Sequence, residues 1–212
     1  ILYDIPGRAG IEIKYETILR AAKHPNILAV KDAKGDLSEV SRVMNQTDLM
    51  YFSGDDANVL PTLAIGGTGL IGVTANIAPG SYRTIVDAVN ANDLATATAE
   101  HQRLEPLVRA VMTHVPGTVA TKYVLHGLGR IGSPRVRLPL VGPEDHEAAI
   151  IRTSWRSSPM SPVSTRATSA PTAMPRPAAR CRRWPAPPDR PNPRGASPSI
   201  ARRPVRRTMP HD

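Results

Sequence analysis

Cysteine is almost missing from this 212-residue chain: there is one, Cys181, and residues 1–152 have none. Disulfides and thiolate metal sites are therefore excluded from that stretch. Aromatic residues are few, with one Phe and two Trp. No apolar run approaches the roughly 18 residues of a membrane-spanning helix, and the absence of cysteine suits a cytoplasmic location. There is no initiator Met, basic n-region or signal-peptide pattern; Ile1-Leu2-Tyr3-Asp4-Ile5-Pro6 reads as a start inside a strand, so an incomplete N-terminus is expected. The six histidines (24, 101, 114, 126, 146 and 211) lack metal-ligand spacing, and no metal is expected. No Gly-x-Ser-x-Gly nucleophile elbow occurs. Gly66-Gly67-Thr68-Gly69 precedes a strand, whereas a phosphate cradle precedes a helix.

Lysine is absent from residue 153 onward, although that segment holds 12 arginines and only two acids, Asp189 and Asp212. The tail thus carries +10, while residues 1–152 hold 15 basic and 16 acidic side chains. The high overall basicity says nothing about partners of the first part. The tail also holds 13 of the 22 prolines and shows neither a period of 2 nor of 3.6. Such a composition cannot bury enough apolar surface to offset its ordering entropy, and a disordered tail is expected. Two origins fit it. One is a frameshift in a GC-rich gene, whose out-of-frame codons favour Arg, Pro, Ala and Ser; the other is a basic arm that binds nucleic acid non-specifically. The lack of lysine and the abrupt change at 153 favour the frameshift.

Between these ends the pattern is regular. Ile27-Leu28-Ala29-Val30, after Pro25-Asn26, reads as a strand buried on both faces of a parallel sheet. Lys31 closes it. A lysine at the carboxyl end of such a strand stands where α/β folds place their chemistry. Partial withdrawal from water favours a neutral, nucleophilic amine, the condition for a Schiff base with a carbonyl substrate. A strand ending near Ile5 precedes this unit. Further strands are expected over Leu49–Phe52 and Gly69–Val73, and helices over Ile13–Lys23, from Asp36, over Val59–Ile65 and over Pro79–Val89. From Asp93 only helical spacing follows, over Asp93–Val111, Val119–Leu128 and Pro143–Ile151. Four strand–helix repeats with short loops imply parallel strands and right-handed crossovers. They fit a small open sheet or the second half of a (β/α)8 barrel. Polar residues clustered at strand carboxyl ends (Tyr3 and Arg8, Lys31, Ser53 to Asp56, Thr74 and Asn76) suit the barrel. Asp55 and Asp56 read as capping and strand-end groups rather than catalytic ones.

LYDIPGRAG (2–10), ILAVKDAKGD (27–36), YFSGDDANVLP (51–61) and GGTGLIGVTANIAPG (66–80) together resemble four successive blocks of the dihydrodipicolinate synthase family. That family belongs to the pyruvate-dependent class I aldolase and lyase superfamily, and the blocks are most similar to actinobacterial members. The resemblance covers about residues 1–151. It implies an α/β fold that is the second half of a TIM barrel (1–91), a C-terminal helical extension (92–152) and, beyond both, the tail (153–212). By resemblance Lys31 forms the imine with pyruvate, and Tyr3 relays protons. Arg8 holds the carboxylate of the aldehyde, the Ile71 backbone carbonyl contacts pyruvate, and Gly54 permits close approach to the ligand. The implied reaction condenses pyruvate with L-aspartate 4-semialdehyde to give 4-hydroxy-tetrahydrodipicolinate, on the route to lysine. It needs no metal or organic cofactor. The family's threonine and second tyrosine that assist the phenol have no counterpart in this stretch, so the chain alone is expected to be inactive. A homo-oligomer, tetramer or dimer, is the family's common state. Two alternatives stay open: a sugar-acid or N-acetylneuraminate lyase-like acceptor, and a non-catalytic product.

Overall fold

The computed structural model describes residues 1–157, and expectations for the rest of the tail lie outside that range. Four short strands, β1 (Leu2–Asp4), β2 (Ala29–Asp32), β3 (Met50–Ser53) and β4 (Gly69–Leu70), pair in parallel in the order β1-β2-β3-β4. Between them lie the helices α1 (Pro6–Ala9), α2 (Tyr15–Ala21), α3 (Leu37–Gln46) and α4 (Val59–Ala64). Then come α5 (Pro79–Asn90), α6 (Leu94–Thr113), α7 (Gly117–Gly127) and α8 (Asp145–Ser157). This is the expected α/β architecture, a parallel βα array followed by helices only. No helix among the described residues is long and apolar enough to cross a membrane.

Alternation along the strands sorts the side chains into two faces. Val30 and Tyr51 point to the helix side and close a core with Ile18 of α2 and Val40 and Val43 of α3. Val30 and Val43 are wholly buried, and burial of each such side chain contributes about 1.5–3 kcal/mol. Polar residues set the starts of α3 and α6. The Asp36 carboxylate accepts the Glu39 N–H (2.9 Å), and that of Asp93 accepts the Thr96 N–H (3.0 Å); each cap is worth about 1 kcal/mol.

Most boundaries shift by one or two residues from expectation, and two shifts have a clear physical cause. β4 ends at Leu70 rather than Val73, because the Val73 and Thr74 amides donate to the Asp56 carboxylate instead of to a neighbouring strand. The last helix runs through Ser157 and so takes in the first five residues of the expected tail. Its buried face is Ala148, Ile151 and Trp155, a helical spacing that continues across residue 153. Trp155 belongs to the second core cluster, with Leu104 and Leu107 of α6 and Val124 of α7. Its ring lies 6.2 Å from that of Tyr123 and covers Gly127 so closely that any side chain there would overlap it. Composition changes near 153, but the packing does not.

Trp155→Ala should therefore destabilise the folded part by about 3–5 kcal/mol, read by urea unfolding. If residues after 152 were passive, the unfolding midpoint would not move.

Candidate active site

The sheet register sets the geometry. Tyr3 pairs with Lys31 and Lys31 with Phe52, so three side chains stand abreast on the face opposite the helices. Neighbouring strands are about 4.8 Å apart, and the Lys31 Nζ lies 3.8 Å from the centre of the Tyr3 ring. Lys31 is half-buried, while Tyr3 is 44% exposed. Lys31 is an internal residue of β2 rather than the one after it, because β2 pairs on both sides through Asp32.

The other expected residues gather at the same end of the sheet. Ile71 follows β4; its N–H donates to the Ser53 carbonyl (2.9 Å), and alternation from Gly69 puts it on the face of Lys31. Arg8, with an exposed side chain, lies on α1, directly after the strand that carries Tyr3. The Gly54 N–H donates to the Asp32 carbonyl (2.5 Å). A Cβ on Gly54 would stand 2.8 Å from that oxygen and 2.9 Å from the Ala33 Cβ. This glycine therefore permits close packing on the end of β2. The structure brings Tyr3 and Lys31 into contact and sets Arg8, Gly54 and Ile71 just past the carboxyl ends of β1, β3 and β4.

Sequence reasoning missed the charges behind this face. Asp4 and Asp32, the residues after Tyr3 and Lys31, are register partners and both are buried. Asp4 Oδ1 accepts the Ile13 N–H (3.0 Å), and Asp32 Oδ1 accepts the Gly35 N–H (2.9 Å). Lys34 Nζ lies 2.5 Å from Glu39, 3.5 Å from Glu12 and 3.7 Å from Asp4 Oδ2. Burial raises the Asp32 pKa, and nearby Asp4 adds to the rise, against the opposing Gly35 hydrogen bond. For Lys34, burial works to lower the pKa, but the Glu39 hydrogen bond and the carboxylates of Glu39, Asp4 and Glu12 outweigh it and raise the value. This cluster ties the β1 end, which leads to Arg8, to the β2 end, which carries Lys31. The signal was present as acids directly after both candidate residues.

Phe52, the only phenylalanine, was also missed; it is Lys31's partner on β3. Asp55 caps the turn after β3 through the Ala57 N–H (3.1 Å), and Asp56 binds the backbone after β4, the structural roles expected of both. A separate pocket of about 310 Å³ lies between Asp55 and α6; it is lined by His101, Val108 and Met112 and by none of the expected site residues. Burial lowers the pKa of His101 there. Among the described residues no group of three or more His, Cys, Asp or Glu side chains could hold a metal ion.

A parallel βα array with its polar side chains at the strands' carboxyl ends defines the chain as βα-barrel material. The comparisons narrow this. The sequence profile of the Dihydrodipicolinate synthetase family matches residues 1–153, and the chain belongs to that family. A 4-hydroxy-tetrahydrodipicolinate synthase of Kineococcus radiotolerans is 44% identical over 163 residues, covering 77% of this chain and 53% of the relative. One from Streptomyces coelicolor is 43% identical over 141 residues, covering 66% and 46%. The Kineococcus match is longer than the 152 residues ahead of the expected tail. Among solved structures, the synthase of Methylacidiphilum fumariolicum superposes with a TM-score of 0.71 at 30% identity, covering 74% of this chain and 53% of the other. A chloride-inhibited synthase of Acinetobacter baumannii, complexed with pyruvate, gives 0.70 at 28%, covering 75% and 55%. The chain spans about half the length of the relatives it matches.

Lys34→Met leaves Asp4 buried without its cation and should cost about 3 kcal/mol at pH 7, measured by urea unfolding. The folded Lys34 pKa is raised above its ordinary 10.5, so its contribution is complete below pH 10.5 and lost as pH climbs through the higher folded value. The gap between wild type and variant should stay constant from about pH 7 to 9 and narrow only above 10.5.

Proposed function

We propose that this chain carries the imine-forming part of a lyase site that condenses pyruvate with L-aspartate 4-semialdehyde. The observation that carries the reading is the contact between the Lys31 amine and Tyr3 at the carboxyl end of a parallel sheet. The Lys31 amine adds to the C2 carbonyl of pyruvate and water leaves, giving a protonated imine. That electron sink acidifies the adjacent methyl; loss of a proton gives an enamine, whose carbon attacks the aldehyde. Tyr3, whose ring the Lys31 amine faces, would carry protons in these steps. Arg8 would take the carboxylate of the aldehyde in a fork, which favours the semialdehyde over a sugar-acid acceptor. Ile71, through its carbonyl, and Gly54 would border the pyruvate. The pyruvate in the Acinetobacter relative supports the substrate class.

A cytoplasmic location and a homo-oligomeric state belong to the same proposal. No step needs a metal or an organic cofactor. Within the described residues the face of Lys31 is open and Tyr3 is 44% exposed. Water would reach the enamine there, so the 212-residue chain alone should form the imine yet not complete the condensation.

Incubation with pyruvate and borohydride, followed by mass spectrometry, tests this. The adduct should map to Lys31, disappear in Lys31→Ala and form at least about tenfold more slowly in Tyr3→Phe. Labelling at another lysine, or turnover by the isolated chain comparable to an intact synthase, would refute the assignment.

A further inference from the structure

Asp56 takes no part in the chemistry proposed above, yet its carboxylate is spent on the segment that follows Ile71. It is 1% exposed. Oδ2 accepts the Val73 N–H (2.9 Å); Oδ1 accepts the Thr74 N–H (2.9 Å) and the Thr74 hydroxyl (2.5 Å). Three bonds from one carboxylate to two consecutive residues make a strong fixture, since hydrogen bonds to an ionised acceptor are about twice as strong as neutral ones. The single hydroxyl proton of Thr74 is used in this way, so the Tyr82 hydroxyl, 2.5 Å from Thr74 Oγ1, donates to it. Tyr82 is 5% exposed on α5. Burial, and after it the charge of Asp56, pushes its pKa well up and keeps it a donor.

The residue between Ile71 and this fixture is glycine for a steric reason. A Cβ on Gly72 would stand 2.5 Å from Asp56 Oδ1 and 2.8 Å from the Leu70 side chain. On the other flank the Ile71 N–H is held by the Ser53 carbonyl (2.9 Å). The Ile71–Gly72 peptide is therefore clamped on both sides, by β3 before it and by Asp56 after it.

We propose that Asp56, backed by Thr74 and Tyr82, is the positioning residue that aims the Ile71 carbonyl at pyruvate on Lys31. It acts through the Gly72–Thr74 turn and touches no substrate. The inference rests on the proposed function of Lys31 and Ile71. A carbonyl at the tip of a strand is free to swing, and misplacement of a binding group by about 1 Å can cost on the order of 100-fold. A buried carboxylate that takes two successive amides removes that freedom.

Borohydride capture of the Lys31 adduct, measured against pyruvate concentration on the full chain, tests the proposal. Asp56→Asn turns an amide nitrogen toward a backbone N–H, and Gly72→Ala drives a methyl into the carboxylate. Both should raise the half-saturating pyruvate concentration about tenfold. Tyr82→Phe should raise it about threefold. The limiting capture rate should stay within about twofold, because Lys31 and Tyr3 sit on other strands. A purely structural role would lower the folded fraction, read by circular dichroism, and the capture amplitude at every concentration, with half-saturation unmoved. That result, or unchanged capture, overturns the inference while the Lys31 assignment stands. If Asp56→Asn does not fold, Tyr82→Phe, which removes a single oxygen, decides. Absence of any wild-type adduct on Lys31 removes the site reading and this inference with it.

Discussion

One backbone constraint governs the site: the parallel register in which Tyr3, Lys31 and Phe52 stand abreast. Strand side chains alternate with a period of two, so a slip of one residue would turn Lys31 to the helix side and Asp32 to the open face. The register is held from behind. Val30 and Tyr51 lie in an apolar core with α2 and α3, and a slip would trade them for Lys31 and Phe52. The core on one face of the sheet therefore decides the chemistry presented on the other.

Carboxylates fix the strand ends that the core does not reach. Asp4 and Asp32 are buried beside Lys34, and each also accepts a backbone amide from the segment that follows its own strand. Asp56 does the same for the turn after β4. Buried charges are costly unless paired and fully hydrogen-bonded. Here each one joins segments whose side chains stand at the same sheet end. Stability and site geometry thus draw on the same groups, although the amine that would react stands on the opposite face.

The sequence made the α/β class and the strand-end placement of Lys31 legible, since a buried parallel strand is a short apolar run and its end is marked by polar residues. The helix starts at Asp36 and Asp93 were readable for the same local reason. Boundaries were not. β4 looked like five residues because Gly69–Val73 is apolar, but a distant carboxylate takes the Val73 amide. The last helix looked finished at Ile151 because composition changes just after it, whereas Trp155 continues the apolar face for another turn and covers Gly127. The missing side chain of Gly54 also makes room for the end of β2, a packing need that no local pattern announces.

By itself the sequence determined which residue types stand at the strand ends: a lysine after an apolar strand, a tyrosine and an arginine flanking a Pro-Gly pair, a pair of acids after a third strand. These are local properties, written in the order of residue types. Only the tertiary structure decided which of them meet. Tyr3 and Lys31 are 28 positions apart in the chain and come into contact through hydrogen-bond register. Asp56 reaches Thr74 across 18 positions through burial. Pairing between strands and the satisfaction of buried charge are long-range conditions, and no local pattern of residues encodes them.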